Sequence, residues 1–380
     1  MHILHIPNDF IATKVHVSLF KELANQGVKQ TIYCPIRHPS LEGSNSFQAE
    51  GTDIVYDFVI KSYHRYFYHI KRQDVFRSLQ KKVNLKDIDL CHAATLLTDG
   101  GLAYKIYRKY YIPYVVAVRN TDINGFLDRA PNTWPAARKI LCSAKKIVFI
   151  SQALMDKFSN HKIIKPILPK IQKKMVLIPN GIDDYFLNHV KKSSHDNHGH
   201  KVLYVGNFSH NKNVLRLCEA VLQLSKENGF RDIKLTLVGG EGRNADERVS
   251  VWINDHKELV DYAGPIYEKD KLCEVFRNHD VFVMPSFTET FGLVYVEALS
   301  QNLPVVYTKG QGIDGLFDET VGIGVNPASV NEIKNAISTI LASPDKYSNS
   351  SIDFEKYRWS YVAEKYMSFY NLLNVKNTLP

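Results

Sequence analysis

The sequence predicts an α/β protein with two doubly wound, Rossmann-like domains that face a central cleft. Short apolar runs alternate with helical patterns along the chain, as expected of parallel strands covered by helices on both faces. The alternation occurs twice, before and after residues 191–200, a stretch without an apolar residue that is typical of a linker. The chain has 380 residues, whereas single cores rarely exceed about 250–300 residues, so two domains are expected.

Each apolar run is interpreted as one strand. The first series is 3–6, 30–34, 54–60, 88–92, 114–118, 147–150 and 175–178. The second series is 201–205, 234–238, 260–263, 281–284, 304–308 and 322–325. We therefore predict an N-terminal domain over 1–190, a linker over 191–200, a C-terminal domain over 201–355 and a final helix over 356–380 that returns to the first domain.

The charge is distributed unevenly. Residues 1–183 contain 27 Lys and Arg against 14 Asp and Glu, and the remainder contains 21 against 25. A basic first half favours an anionic partner, which is a phosphorylated acceptor, an acidic membrane surface or nucleic acid. The densest part, 61–82, has no clean amphipathic stripe. Two interpretations of it remain, a solvated helix with an aromatic inner side and a surface that faces a membrane or an acceptor.

The sequence predicts a cytoplasmic protein. The N-terminal apolar stretch is too short for a signal peptide, and no run of 18 apolar residues occurs. The five cysteines are scattered singly without a recurring spacing, and we expect them to be reduced residues of the core.

The most informative stretch is 285–300, which follows the predicted strand 281–284. A helix predicted over 291–300 places Thr290, Phe291 and Gly292 at its N-terminus. Backbone N–H groups are free there and can bind a phosphate, and glycine allows the close approach of a backbone to a ligand. Two carboxylates, Glu289 and Glu297, flank this start. The eight-residue step between them spans about 12 Å along a helix, so one ligand with two sugars joined by a diphosphate would reach both.

Other polar groups also follow predicted strands, where open parallel sheets bind their ligands. Gly206, Asn207 and Lys212 come after 201–205 and before a helical pattern that starts at Val214. This is a second place to hold a phosphate. Arg119, Asn120 and Asp122 come after 114–118 and are expected to face the cleft.

These residues follow one another in the order of a known family. Gly206 is followed by Lys212, then by Ala-Gly-Pro-Ile at 263–266, then by Pro-Ser at 285–286 with Glu289, Phe-Gly-Leu and Glu297, and then by Pro-Val-Val at 304–306. This pattern resembles the retaining nucleotide-sugar glycosyltransferases of family four, also called group 1, which have the GT-B fold. The resemblance covers almost the whole chain.

The resemblance implies a role for each matching residue. Glu289 corresponds to the acid that contacts donor-sugar hydroxyls, Glu297 to the acid that holds the ribose, and Lys212 to the lysine that neutralises the diphosphate. Ile266, after Gly264, corresponds to the position of the nucleobase. The segment from Thr290 to Leu293 would give backbone N–H groups to the diphosphate and sugar. The donor-binding residues implied in addition are Gly206, Asn207, Gly264, Thr290, Phe291, Gly292 and Leu293.

The chain departs from the family in its acceptor half and at one donor position. Asn207 stands where relatives often carry an arginine, and Arg119 stands where they often carry a histidine. Arg119 either restores the missing charge as a catalytic residue, together with Glu289 and Lys212, or binds an acceptor phosphate. The first loop lacks the usual glycine pair and contains Asn8 instead. The predicted acceptor-binding residues are Asn8, Arg119, Asn120 and Asp122.

The prediction is a retaining, metal-independent hexosyl- or N-acetylhexosaminyl-transferase without a cofactor, in which the nucleotide sugar is a substrate. It would move a sugar from a UDP- or GDP-sugar to a glycan or lipid-phosphate-linked acceptor in surface polysaccharide biosynthesis. We expect it in the cytoplasm, at the inner membrane face, with peripheral contact to anionic lipid and no nucleic acid. The alternatives are a sugar-nucleotide epimerase of the same fold and, in another class, a basic nucleic-acid-binding protein.

Overall fold

The computed structural model describes residues 1–192, 199–240 and 245–375. The centre of the predicted linker, 193–198, and the last residues of the predicted C-terminal helix, 376–380, lie outside this description.

The chain divides into two compact units. The first comprises Met1–Ile150, Leu154–Gly181 and the C-terminal segment from Trp359, and the second comprises Ser151–Ala153 and Ile182–Arg358. The division therefore falls at Gly181, before the linker expected from composition. Residues from Ile182 onward, ahead of the predicted linker, already belong to the second unit.

The first unit contains a seven-stranded parallel sheet with the strand order β3-β2-β1-β4-β5-β6-β7. Its strands are β1 (His2–Ile6), β2 (Lys29–Ile36), β3 (Thr52–Phe58), β4 (Leu90–Ala93), β5 (Tyr114–Ala117), β6 (Lys146–Phe149) and β7 (Met175–Leu177). Its first six α-helices are α1 (Val15–Asn25), α2 (Tyr68–Lys82), α3 (Thr98–Tyr110), α4 (Trp134–Ser143), α5 (Gln152–Asn160) and α6 (Leu168–Ile171).

The second unit contains a six-stranded parallel sheet with the strand order β10-β9-β8-β11-β12-β13. Its strands are β8 (Lys201–Asn207), β9 (Lys234–Gly240), β10 (Val260–Gly264), β11 (Val281–Val283), β12 (Val305–Thr308) and β13 (Gly322–Val325). Its helices are α7 (Asp184–Asn188), α8 (Val214–Leu224), α9 (Glu247–Asp255), α10 (Lys269–Arg277), α11 (Leu293–Ser300) and α12 (Val330–Ala342).

The predicted fold class is confirmed, because every predicted strand has its counterpart in one of two parallel sheets. The ends differ by up to two residues. The apolar pattern of the sequence indicates which residues are buried, whereas the ends of a strand are set by its backbone hydrogen bonds to the neighbouring strand. In the second unit β8 continues two residues further than predicted, since Gly206 pairs with Gly239 and Asn207 with Gly240.

The last helix, α13 (Trp359–Val375), belongs to the first unit. Its buried side chains share a core with those of α1 and the sheet; the α13 members are Val362, Ala363, Tyr366, Phe369 and Tyr370. The Tyr370 hydroxyl lies 2.7 Å from Nδ1 of His92, at the end of β4. Burial of this aromatic face anchors the C-terminal segment to the first unit.

The cysteine prediction is corrected at one position. Cys34, Cys91, Cys218 and Cys273 are buried, but Cys142 is exposed at the C-terminal end of α4. Within the described residues, no helix is both long and apolar enough to span a bilayer.

Candidate functional site

Two loops of the second unit are joined at the carboxyl ends of neighbouring strands. β8 and β11 pair directly in the sheet, so the segments that follow them start side by side. The Phe287 N–H donates to the carbonyl of Asn211 at 2.8 Å, and Nδ2 of Asn211 donates to the carbonyl of Thr288 at 2.8 Å. These reciprocal bonds fix the loop after β8 against the loop after β11.

Asn213 completes this connection. Its Nδ2 donates to the carbonyl of Pro285 at 2.9 Å and to that of Pro327 at 2.7 Å. Its backbone is left-handed, with φ of 59°, a conformation that asparagine tolerates better than most residues. One buried side chain therefore holds the loops after β8, β11 and β13 together immediately before α8. No role was predicted for Asn213 from the sequence, although an asparagine directly before a helix is typical of a residue that holds the helix start in place.

Lys212 and Glu289 form an ion pair between the two loops. Nζ of Lys212 lies 2.6 Å from Oε2 of Glu289, and the side chains are 20% and 13% exposed. Nζ also lies 3.7 Å from Sδ of Met284. The structure thus brings together the two second-unit residues predicted to be catalytic, 77 positions apart in the chain.

The backbone and second carboxylate oxygen of Glu289 are also held. Its N–H donates to Oε1 of Gln311 at 3.3 Å, and its carbonyl accepts from Gly312 N–H at 3.1 Å. Its Oε1 accepts from the Thr290 N–H at 3.1 Å. Gln311 and Gly312 follow β12 and were missed in the sequence. The strand-end rule that selected Arg119 would have selected them as well.

The helix after Glu289 starts later than predicted. α11 begins at Leu293 instead of Phe291, because Gly292 is left-handed with φ of 78°. A Cβ on Gly292 would lie 2.5 Å from Cδ2 of Tyr295, so glycine is required here on two counts. The estimate of about 12 Å between the two glutamates assumed a continuous helix and does not apply, since Glu289 precedes the helix.

Backbone N–H groups are available at this helix start. The side chains of Phe291 and Tyr295 are buried, and the Tyr295 hydroxyl donates to the carbonyl of Met284. The first N–H groups of any α-helix lack a partner within the helix. At α11, the N–H of Tyr295 donates to the Gly292 carbonyl at 3.0 Å. The groups concerned are therefore those of Leu293 and Val294, which follow Glu289 in the chain and favour an anion.

Glu297 lies one turn into α11 and is partly buried. Burial, together with the nearby Asp183 carboxylate, raises its pKa to about 7, while Lys269 opposes the shift. Lys269 itself forms an ion pair with Asp183. Near neutral pH a carboxyl with this pKa is about half ionised, and its ionised form accepts hydrogen bonds from hydroxyl groups.

The remaining predicted donor residues lie at the ends of β8 and β10. Gly264 is the last residue of β10 and has φ of 66°, and Ile266 is partly buried two residues later. Asn207 ends β8; its Oδ1 accepts from the Ser209 N–H at 3.1 Å and its carbonyl accepts from the Tyr204 hydroxyl at 2.6 Å. Asn207 thus shapes the loop but supplies no positive charge. The roles of these residues stay predictions.

The predicted acceptor residues belong to the first unit. Asp122 is buried and accepts backbone N–H bonds from Leu96 at 3.0 Å, Leu97 at 3.1 Å and Arg119 at 2.9 Å. Burial raises its pKa to about 6, and these bonds oppose the shift. Asp122 therefore fixes the backbone at the ends of β4 and β5. Asn120 is buried beside it.

Arg119 is partly buried, and its Nε donates to the carbonyl of Ala94 at 3.2 Å. This bond uses one of its five donors. Its charge opposes the burial that raises the pKa of Asp122. The pKa of Asp9 is lowered, against the effect of burial, mainly by His16 and to a smaller extent by Arg119. The catalytic and acceptor-binding roles of Arg119 stay predictions.

Asn8 lines a pocket at the carboxyl end of β1. The other polar residues around it include Lys71, Arg72, Thr98 and Asp99. Nδ2 of Asn8 donates to Oδ2 of Asp99 at 3.3 Å. Burial, followed by the Asp9 carboxylate, raises the pKa of Asp99, and burial lowers that of Lys71. Nε of Arg72 is buried without a hydrogen-bond partner among the described residues. Among the residues that line this pocket, Asn8 alone was predicted from the sequence to bind the acceptor.

Two family profiles match the chain, one to each half. A profile described as "Glycosyltransferase Family 4" matches residues 12–185, and one described as "Glycosyl transferases group 1" matches residues 199–343. The two matches adjoin, and together they span most of both compact units.

The curated relatives are distant. A Bacillus subtilis protein named for teichuronic acid biosynthesis, the glycosyltransferase TuaC, is 23% identical over 66% of this chain and 60% of its own. The D-inositol 3-phosphate glycosyltransferase of Gordonia bronchialis is 25% identical over 45% of this chain and 40% of its own. The matches therefore cover less than two thirds of either relative.

Solved structures match over nearly the full length. Sucrose-phosphate synthase from Thermosynechococcus elongatus has a TM-score of 0.73 at 18% identity, covering 99% of this chain and 100% of its own. Anabaena Alr3699/HepE, solved in complex with UDP-glucose, has a TM-score of 0.67 at 15% identity, covering 98% and 99%. At such identities the likeness concerns the fold.

Proposed function

Since the chain belongs to the group 1 glycosyltransferases and has the GT-B fold, we propose that it transfers a hexosyl or N-acetylhexosaminyl group from a UDP- or GDP-sugar with retention of anomeric configuration. The acceptor in this proposal is a glycan or a lipid-phosphate-linked glycan of a surface polysaccharide. One relative is named for teichuronic acid biosynthesis, which supports this class of acceptor.

The ion pair between Lys212 and Glu289 carries the proposal. It places a cation and a carboxylate 2.6 Å apart beside the start of α11. In the proposed complex, the donor diphosphate accepts from the Lys212 ammonium and from the first N–H groups of α11. The Glu289 carboxylate accepts from sugar hydroxyls, and Glu297 accepts from the ribose hydroxyls. A neighbour of the same fold was solved with UDP-glucose, which supports a uridine nucleotide as the first donor to test.

The proposed step exchanges one carbon–oxygen bond for another. The bond from the anomeric carbon to the diphosphate oxygen breaks, and a bond to the acceptor hydroxyl oxygen forms on the same face. The hydroxyl proton passes to the departing phosphate oxygen. The anomeric carbon becomes oxocarbenium-like, as in glycoside hydrolysis. Negative charge grows on the diphosphate, so fixed donors that await it stabilise the transition state more than the ground state.

We include independence of metal ions and of any cofactor in the proposal. The support is that Lys212 and the α11 N–H groups already supply positive potential at the site of the leaving group. Arg119 is proposed to add a further charge, either to the diphosphate or to an acceptor phosphate. Activity that survives EDTA would agree with this part, and activity that returns only on adding Mg²⁺ or Mn²⁺ would contradict it.

The acceptor is proposed to bind in the first unit, at the mouth of the pocket that Asn8 lines, whose own free volume of about 20 Å³ holds about one water molecule. The pocket combines the cations Lys71 and Arg72 with Asp99, whose raised pKa favours a neutral carboxyl. Such a set suits an acceptor with hydroxyls and a phosphate or carboxylate. A cytoplasmic location at the inner face of a membrane is part of the same proposal and is supported by the basic first half.

One experiment tests the proposed donor and stereochemistry. The chain is first screened for thermal stabilisation by a panel of UDP- and GDP-sugars, since a ligand that binds only the native state raises the melting temperature. The stabilising sugar is then supplied with a lipid-phosphate-linked glycan, and the anomeric configuration of the product is read by NMR. Retention supports the proposal. Inversion, or epimerised donor without any acceptor product, overturns it.

A further inference from the structure

Exposed apolar side chains are concentrated on one short segment of the first unit, residues 58–70. The five large ones are Phe58, Tyr63, Tyr66, Phe67 and Ile70, with exposed fractions of 46%, 44%, 73%, 54% and 47%. Single exposed apolar residues are normal, but several of them within one short segment indicate an interaction surface. This group therefore calls for a partner.

The segment is held in place by two side chains, the buried His64 and the partly buried Tyr68. His64 is buried; its Nδ1 accepts from the Lys61 N–H at 3.1 Å, and its Nε2 lies 3.2 Å from Oδ2 of Asp74 on α2. The Tyr68 hydroxyl donates to the carbonyl of Leu97 at 2.9 Å. Residues 65–67, between His64 and Tyr68, and residues 69–70, after Tyr68, are exposed.

The same surface is strongly cationic. Residues 58–82 contain seven Lys and Arg against a single carboxylate, that of Asp74. Lys71 and Arg72 are partly buried and line the pocket of Asn8, and Nζ of Lys82 lies 3.5 Å from Oδ1 of Asp57. The other four, Lys61, Arg65, Arg77 and Lys81, are exposed. Asp74 is already engaged by His64 and lies 3.9 Å from Nη1 of Arg77. Among the described residues, Lys61, Arg65 and Lys81 have no ion-pair partner, so their positive charges are available to an anionic surface.

Cations and aromatic rings alternate on this surface. Nζ of Lys61 lies 4.5 Å from the centroid of the Phe58 ring, and the guanidinium carbon of Arg65 lies 5.1 Å from that of Tyr66. Aromatic rings and Ile enter the boundary between lipid headgroups and acyl chains, while Lys and Arg remain at the anionic headgroups. An anionic lipid surface matches both halves of this pattern.

We infer that residues 58–70, with the exposed Lys81 of α2, form a docking surface for an anionic phospholipid membrane. A second copy of the chain would satisfy the apolar side chains but would bring like charges together. Nucleic acid would satisfy the charges, but Ile70 and Phe67 would gain little from a phosphate backbone. The inference rests on the membrane location in the proposed function and adds the surface that binds the lipid; it requires no catalytic event, so it is tested without a donor or an acceptor.

The test uses the full-length protein and vesicles of phosphatidylcholine, with or without phosphatidylglycerol. Wild-type protein should sediment with the anionic vesicles at least tenfold more strongly than with neutral ones. The triple variant Tyr66→Ser, Phe67→Ser, Ile70→Ser should lose binding to anionic vesicles at least tenfold. The matched control Tyr111→Ser, Val251→Ser, Leu372→Ser, which removes three exposed apolar side chains elsewhere, should stay within twofold of wild type.

A second variant tests the charge independently. Lys61→Glu with Arg65→Glu should weaken binding to anionic vesicles by at least about fivefold for each residue and should leave binding to neutral vesicles unchanged. This variant keeps every aromatic side chain, so the inference remains testable if the triple variant does not fold.

Four results would overturn the inference: equal binding to both kinds of vesicle, unchanged binding in the triple variant, a dimer in sedimentation velocity that the triple variant abolishes, or tighter binding to single-stranded RNA than to anionic vesicles. Stabilisation by a nucleotide sugar is measured in parallel. Its absence from wild-type protein would count against the proposed function and leave the docking result standing, so the two fail separately.

Discussion

Nζ of Lys212 contacts Oε2 of Glu289 at 2.6 Å, across two loops that follow the paired strands β8 and β11. Because the other carboxylate oxygen accepts from the Thr290 N–H, both oxygens of Glu289 are oriented before any ligand binds. A donor that enters would exchange these contacts for its own diphosphate and hydroxyls. Because the two side chains are already held in position, they need little rearrangement during the reaction.

Glu289→Gln should lower kcat by about 100- to 1,000-fold, a loss typical of one stabilising group in a transition state. The shape of the side chain is preserved and the charge is removed. Transfer is measured with the donor found by thermal screening, and circular dichroism checks the fold. Glu274→Gln, on the exposed face of α10, is the matched control. A Glu289→Gln variant as active as the control would refute the assignment.

Lys212→Met should weaken the binding of UDP about 10- to 100-fold, as expected for the loss of one charge-assisted contact. The affinity for uridine should change less than threefold, because uridine has no phosphate. Calorimetric titration of both ligands measures the difference. Lys271→Met removes a lysine that is paired on the surface with Glu268 and serves as the control. Equal losses for UDP and uridine would contradict the phosphate role.

Gly292→Ala should destabilise the second unit and abolish donor binding. A left-handed alanine costs about 1–2 kcal/mol, and the overlap of its Cβ with Tyr295 adds about 1–3 kcal/mol. Gly310→Ala separates the two causes, since Gly310 has φ of 71° and no atom within 4 Å of an added Cβ. Urea unfolding should show a larger loss for Gly292→Ala, and equal losses would remove the steric argument.

Asn213→Gly should lower the free energy of unfolding by about 1–3 kcal/mol, because two carbonyls lose their donor. It should also weaken nucleotide-sugar binding, since the loops after β8 and β11 lose a connection. Asn213→Ala should cost about 1–2 kcal/mol more, because alanine is strained in the left-handed conformation that glycine accepts. Unfolding curves and calorimetry measure both effects. An alanine variant more stable than the glycine variant would be inconsistent with this account.

The pKa of Glu297 predicts a pH dependence of stability. Its folded pKa is raised from 4.5 to about 7, so the folded chain binds this proton more tightly than the unfolded chain. The corresponding stability is fully present below about pH 4.5 and is lost as the pH rises through 7, by at most about 3 kcal/mol. Glu297→Gln should flatten the stability curve between pH 5 and 8 in urea unfolding. An unchanged slope would mean that the Glu297 pKa is not raised.

Much of the fold was predictable because burial leaves a local pattern. Each strand appears in the sequence as a short apolar run, and the helix start after Glu289 is marked by Gly292. Residues whose role depends on remote partners were missed. Gln311 supports the Glu289 backbone only because β12 pairs with β11. Arg72 and Asp99 share a pocket because α2 and α3 meet at the end of β1.

The sequence by itself determined the two-sheet α/β architecture, the strand-end placement of Lys212 and Glu289 and the need for glycine at 292, because these depend on local periodicity and backbone conformation. Only the tertiary structure decided that Lys212 touches Glu289, that Asn213 ties three loops together, and that Asp183 and burial raise the pKa of Glu297. The physical reason is that strand order and burial bring together groups far apart in the chain, and no local pattern records which distant strand becomes the neighbour.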